Sequence, residues 1–190
     1  MPVHLPLLPF ETPRAFGAWL KKNHASAPGL WLKFAKQGAH PSLTYAEALD
    51  EALCWGWIDG QKQSFDPDWW LQKFTPRRPR SQWSQINRAK ALALIAAGRL
   101  QPAGLAAIEA AQQDGRWEAA YPGQRTATLP ADFQAELDRR PQAKAFYATL
   151  NSVNRYAFAY RLGSAKKAAT RARRFQQFLE LLEKGEKLIP

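Results

Sequence analysis

The chain has 190 residues, 46% of them apolar and 12% aromatic, which suffices for a core and excludes wholesale disorder. Lysine and arginine number 27 against 16 aspartate and glutamate, a net charge of +11; this excess favours anionic partners (nucleic acid, anionic lipid, small phosphorylated or carboxylated ligands) without selecting among them. Cys54 is the only cysteine, so an intrachain disulfide and a thiolate zinc site of the finger or ribbon kind are excluded.

The first ten residues are apolar and hold three prolines. They lack the charged start and long apolar run of a secretory signal. No stretch reaches the roughly 18 apolar residues of a membrane span, and the expected location is the cytoplasm. Thr12-Pro13 reads as the N-cap and first position of a helix running to about His24. Leu30 to Lys36 alternates apolar and basic residues, the pattern of a half-buried strand. Gly38 to Ser42 reads as a turn. Thr44 and Glu47 form a capping box, so a helix starts there and runs to about Trp55. Trp57 to Asp59 and Trp69 to Phe74 predict two short strands around a loop at Asp66-Pro67.

The second half changes character. Thr75 to Arg80 is a stiff basic connector rich in proline. Helical spacing resumes near Ser81 or Ser84 and ends at Gly98, a C′ glycine. Further helices are expected at about 102–113, 131–139, 142–150, 152–162 and 164–184, with 116–129 irregular. The expected fold class is α+β. A small N-terminal mixed α/β unit with short strands occupies 1–115, and a mainly helical C-terminal domain packed on it occupies 116–190.

Three segments carry a recognisable pattern: Glu51 to Gly60, Phe74 to Asn87 followed by Gly98 and Pro102-Ala-Gly104, and Ser164 to Arg174. Together they resemble the bacterial YdeI/OmpD-associated family, also labelled bacteriocin-protection proteins, from about Phe10 to Pro190. The resemblance implies a role in tolerance to antimicrobial peptides and envelope stress, and it brings no agreed catalytic activity.

The candidate ligand site is Asp59, Arg77, Arg78, Ser81, Trp83, Ser84 and Asn87. Asp59 sits in an apolar segment, where a carboxylate is costly to bury unless paired. It either orients an arginine that grips an anion or closes a structural salt bridge, with Lys62, Arg77, Arg78 and Arg80 as the nearest partners. The arginines lead into the helix that starts near Ser81 or Ser84, where free N–H groups and the positive dipole end attract anions. Ser84 and Asn87 lie one turn apart and can face one ligand. The simpler reading makes Ser84 an N-cap, Trp83 a hydrophobic staple and the arginines solvated.

Five of the eight tryptophans lie between residues 55 and 83. Most are expected in the core, with one or two left at a cleft. Cys54 is expected to be buried packing rather than a nucleophile. Glu47 and Glu51 share a helix face, but Glu47 already has a capping role. The last helix sets Lys166, Lys167, Arg171, Arg173 and Arg174 against Phe175, Phe178, Leu179 and Leu182, a solvated face over a packed stripe. The segment Asn154 to Arg161 interleaves aromatics with arginines and reads as a packed helix. No metal spacing, no Gly-rich phosphate loop and no cofactor motif is present.

Three functions follow. The first is a stress-protection protein of the resembled family with a small anionic-ligand or protein-partner site. The second is a nucleic-acid-binding protein using its basic surface. The third is an enzyme of unassigned reaction. Oligomeric state is not addressed by the sequence.

Overall fold

The structure is a computed structural model that describes residues 4–36 and 40–190. The turn expected at Gly38–Ser42 therefore falls partly outside the described residues. The first helix, α1 (Pro13–Asn23), starts where the threonine-proline pair directs: the Thr12 hydroxyl accepts from Ala15 N. The capping box is also formed, with Thr44 accepting from Glu47 N while the Glu47 carboxylate accepts from Thr44 N, and α2 (Tyr45–Cys54) follows.

Four strands make one sheet in the order β1-β2-β4-β3. They are β1 (Leu7–Pro9), β2 (Leu30–Ala35), β3 (Trp57–Ser64) and β4 (Trp69–Pro76). β1 runs parallel to β2, and the other pairings are antiparallel. Period-2 alternation in β2 buries Leu30, Leu32 and Phe34. Cross-strand register places Phe74 opposite Leu30 and Gln72 opposite Leu32 on the same face. Helices α1 and α2 cover that face through Phe16 on Phe74, Trp19 on Trp57 and Tyr45 on Phe34. The opposite face carries Trp31, Lys33, Trp69 and Lys73, all half-buried.

Two features of this sheet had no counterpart in the sequence reading. The three-residue β1, preceded by Pro6 and ending in Pro9, is defined by its pairing with β2 rather than by its own pattern. β3 and β4 form a hairpin longer than the two short strands expected, interrupted by a register shift between Asp59 and Lys62. The buried Gln72 amide donates to the carbonyls of Gly60 and Gln61 at 2.8 and 3.2 Å, meeting the acceptors that this irregularity frees.

Two compact units are present: residues 1–83 with 87–119, and 84–86 with 120–190. The N-terminal unit adds α3 (Gln85–Ala96, whose first two residues fall in the other unit) and α4 (Pro102–Gln113). α4 docks on the end of α2. Gln101 N donates to Cys54 O at 3.0 Å, and a Cβ on Gly104 would collide with Cys54 O. Gly56, at φ 72°, approaches Ala103 O in the same way. Ion pairs Lys90–Asp50 and Arg99–Glu51 flank this contact.

The C-terminal unit is mainly helical: α5 (Ala131–Asp138), α6 (Pro141–Thr149), α7 (Ser152–Gly163) and α8 (Ala168–Glu183). Its core gathers Phe133, Leu137, Leu150, Phe158, Leu162, Phe178, Leu179 and Leu182, so the apolar stripe expected on the last helix is packed. That helix begins at Ala168 rather than Ser164, because residues 164–167 reverse the chain between α7 and α8. Asn154, buried, donates to Ile189 O at 3.0 Å and accepts from Ile189 N at 2.9 Å, pinning the C-terminal tail. The fold class is thus α+β, a small N-terminal sheet with helices followed by a mainly helical half.

Gly104→Ala is expected to lower unfolding stability by about 1–3 kcal/mol through overpacking against the α2 carbonyl, read as a shifted midpoint in chemical denaturation. An unchanged midpoint would mean that α4 can move away from α2 without loss.

Candidate functional site

The residues singled out from the sequence are placed by the end of β4 and the start of α3. Arg77 N donates to Gly56 O at 2.9 Å, which carries the chain off the sheet beside the α2–α4 contact. The Arg77 guanidinium lies 3.6 Å over the Trp83 ring, and its Nη1 donates to Gln82 O. Trp83 is buried and meets Trp117 edge-on at 4.9 Å. Arg116 secures the loop beneath, donating to Ser81 O at 2.7 Å and, through Nε, to both Asp114 carboxylate oxygens. Arg88 donates to Trp117 O at 3.0 Å. Arg77 is therefore held as a cation stacked on a buried indole, an arrangement that fixes its position.

Ser81 closes a turn with Arg78: its hydroxyl accepts from Arg78 N at 3.1 Å while its N–H donates to Arg78 O at 2.9 Å. The side chains of Arg78 and Arg80 stay exposed. Ser84 and Asn87 are buried. Ser84 forms a bridge with Tyr121, and Gln85 N donates to Tyr121 O at 2.8 Å. The first amide of α3 is thus occupied by a carbonyl, not presented to an anion.

Asp59 corrects the expected pairing. Its carboxylate accepts from the Tyr45 hydroxyl at 2.8 Å, and among the described residues it makes no ion pair with Lys62 or with the arginines. Asp59 stands opposite Phe74 on the helix-covered face, where the Tyr45 hydroxyl of α2 reaches it, while the Arg77 guanidinium stacks on the Trp83 ring. Lys62 instead lies 4.3 Å over the Trp70 ring.

What the structure brings together is Lys73, Thr75, Arg77 and Arg78, with Pro28 and Pro79, around a concavity of about 550 Å³ with no carboxylate in its lining. Lys73 was missed in the sequence; strand alternation from the apolar Phe74 was the signal that could have found it. Of the tryptophans, Trp57 and Trp83 are core, while Trp55, Trp69 and Trp70 are half-buried. Trp69 stacks on His40 at 5.0 Å and carries the Lys33 ammonium at 4.4 Å.

Cys54 is buried at the end of α2. Burial pushes its thiol up to about 11, with the carboxylates of Glu51 and Asp50 adding to the shift and Arg99 opposing it. At neutral pH it is a thiol, not a nucleophilic thiolate. Among the described residues no group of three or more His, Cys, Asp or Glu is arranged to hold a metal ion, and no helix is long and apolar enough to cross a membrane.

The fold defines a small α+β protein with a basic concavity whose lining holds no carboxylate. Comparison with known families places the chain further. Residues 8–107 match a domain of unknown function (DUF8412); this is more than half of the chain, which belongs to that family. Residues 126–185 match the family described as Bacteriocin-protection, YdeI or OmpD-Associated. The motifs at 51–60 and 74–87 fall in the first match and Ser164 to Arg174 in the second. No curated protein and no solved structure matches the chain.

Two measurements check this geometry. Alkylation of native Cys54 by iodoacetamide is expected to be slow at pH 7.5 and to rise only as the pH approaches about 11, while the unfolded protein reacts readily near the usual thiol pKa; rapid labelling of the native protein at neutral pH would contradict a buried thiol. Arg77→Ala should cost about 0.5–2 kcal/mol through loss of the cation–π stack, measured by thermal unfolding, with Arg80→Ala nearly neutral.

Proposed function

We propose that this chain is a bacteriocin-protection-like protein that works by binding an anionic group, on a small ligand or a protein partner, at the concavity formed by Lys73, Arg77 and Arg78. The single observation that carries the reading is three cations around one concavity that no carboxylate lines. Arg77, locked on Trp83, supplies fixed charge. The half-buried Lys73 and the exposed Arg78 supply further donors. Ser81 shapes the turn that presents Arg78. Asp59, Trp83, Ser84 and Asn87 act as the frame. A chain of net charge +11 repels cationic peptides at long range, which favours protection through an anionic partner over direct capture of such a peptide.

The nucleic-acid reading is favoured by a different feature. Arg161, Lys166, Lys167, Arg173 and Arg174 surround the α7–α8 turn and make no ion pair among the described residues. Such a surface would bind phosphate backbones with a steep salt dependence.

Titration with a short inorganic polyphosphate tests both readings. The expected result is saturable binding that Lys73→Gln with Arg78→Gln weakens at least tenfold, about 1.4 kcal/mol, while Lys166→Gln with Lys167→Gln leaves it nearly unchanged. The reverse pattern, together with tight low-salt binding of duplex DNA, would favour the nucleic-acid reading. Absence of any polyphosphate binding at low salt would overturn the anion site.

A further inference from the structure

The C-terminal unit holds a concavity of its own, about 750 Å³ in volume, within the roughly 300–1,000 Å³ of small-molecule sites. Gln124, Arg125 and Thr128 line it from the loop before α5, and Tyr147, Arg155 and Tyr156 from α6 and α7. No carboxylate lines it. Four of the six acids of residues 120–190 are engaged elsewhere: Asp132 with Arg171, Glu136 with Arg139 and Arg140, Asp138 with Lys144, and Glu183 with Arg140. Arg125 has neither an ion pair nor a hydrogen bond among the described residues.

The walls are held in place from behind. Tyr147 meets the buried Phe158 edge-on at 6.0 Å. Tyr156 stacks on Tyr160 at 5.6 Å, and Tyr160 meets Tyr121 edge-on at 5.0 Å. Arg155 donates to Ala148 O at 2.5 Å and lies 5.9 Å over the Tyr147 ring. Gln124 donates to Ser152 Oγ at 3.1 Å, tying the loop to α7. Burial pushes the Tyr156 hydroxyl up to about 12 and raises that of Tyr147, so both remain neutral donors at physiological pH.

Aromatic rings fixed by the core, two guanidiniums without a carboxylate, and neutral hydroxyls suit a ligand with a flat body and one anionic group. We propose that this concavity binds a small organic anion in which a phosphate or carboxylate is joined to a flat ring. The site is separate in residues from Lys73, Arg77 and Arg78 and does not depend on that reading.

Isothermal titration of the full chain with adenosine monophosphate and with benzoate tests it, with adenosine and inorganic phosphate as half-ligands. The expected result is saturable binding of at least one ring-bearing anion, the one that binds identifying phosphate or carboxylate as the preferred group. Each half-ligand should bind at least tenfold more weakly than that anion. Arg125→Gln and Arg155→Gln should each weaken it about tenfold, and Tyr156→Leu should weaken it while preserving near-ultraviolet circular dichroism. Arg80→Gln, at an exposed arginine outside both concavities, should leave it unchanged. The proposal is overturned if neither anion saturates, if inorganic phosphate binds the Lys73→Gln, Arg78→Gln protein as tightly as the ring-bearing anion does, or if folded Arg125 and Arg155 variants bind like the parent.

Discussion

The close approach of α4 to the C-terminus of α2 is the constraint on which the N-terminal unit depends. At Gly104 there is no room for a Cβ beside Cys54 O, and the same carbonyl accepts from Gln101 N. An α-helix leaves its last carbonyls without intrahelical partners; here one of them is satisfied by the start of the next helix to dock. Two residues on, Gly56 takes a positive φ, turns the chain into β3 and offers its own carbonyl to Arg77 N. The stretch 54–56 thereby ties α2, α4 and the exit from β4 to one point. Motif residues that are far apart in sequence meet there for a backbone reason.

That clasp determines how the basic connector is used. The Arg77 backbone is tied to Gly56 and its guanidinium is stacked on Trp83, and among the described residues Arg77 makes no ion pair with Asp59. Asp59 satisfies its carboxylate on the Tyr45 hydroxyl instead. Arg78 follows on a turn closed by Ser81 and points to solvent. The result is one cation stacked on an indole, one half-buried on the strand and one exposed, around a concavity whose lining holds no carboxylate. A hydrogen-bonded carboxylate at Asp59 is less costly to half-bury than an unpaired one, so the absence of a salt bridge there leaves no charge unsolvated.

Charge is distributed unevenly along the chain. Residues 120–190 hold 13 lysines and arginines against 6 acids, so most of the net +11 lies in the C-terminal unit, not at the start of α3. Four of those acids are engaged in ion pairs, Glu136 with Arg139 and Arg140 at the end of its own helix and the others across helices. Asp132 is held below the usual carboxylate range by the Arg171 guanidinium that grips it through two hydrogen bonds. The remaining cations are left for solvent or for ligands. Exposed pairs of this kind contribute little stability; their effect is to decide which arginines stay available.

Local signals in the sequence determined much of this protein. Thr12-Pro13, the Thr44–Glu47 box and the alternation from Leu30 onward specify α1, α2 and β2, because caps and periodicity act within a few residues. The same locality made the helical second half legible. It also marked Trp83, Ser84 and Asn87 as unusual, but not why: Trp83 packs on Trp117, and Ser84 bridges Tyr121, some 37 residues later in the chain. Which arginines stack and which face solvent, which strand face Lys73 takes, and that Arg125 meets Arg155 and two tyrosines at one concavity were decided only by the tertiary structure. Register and helix docking join residues far apart in sequence, and no local pattern encodes what a side chain will find on the other side of the contact.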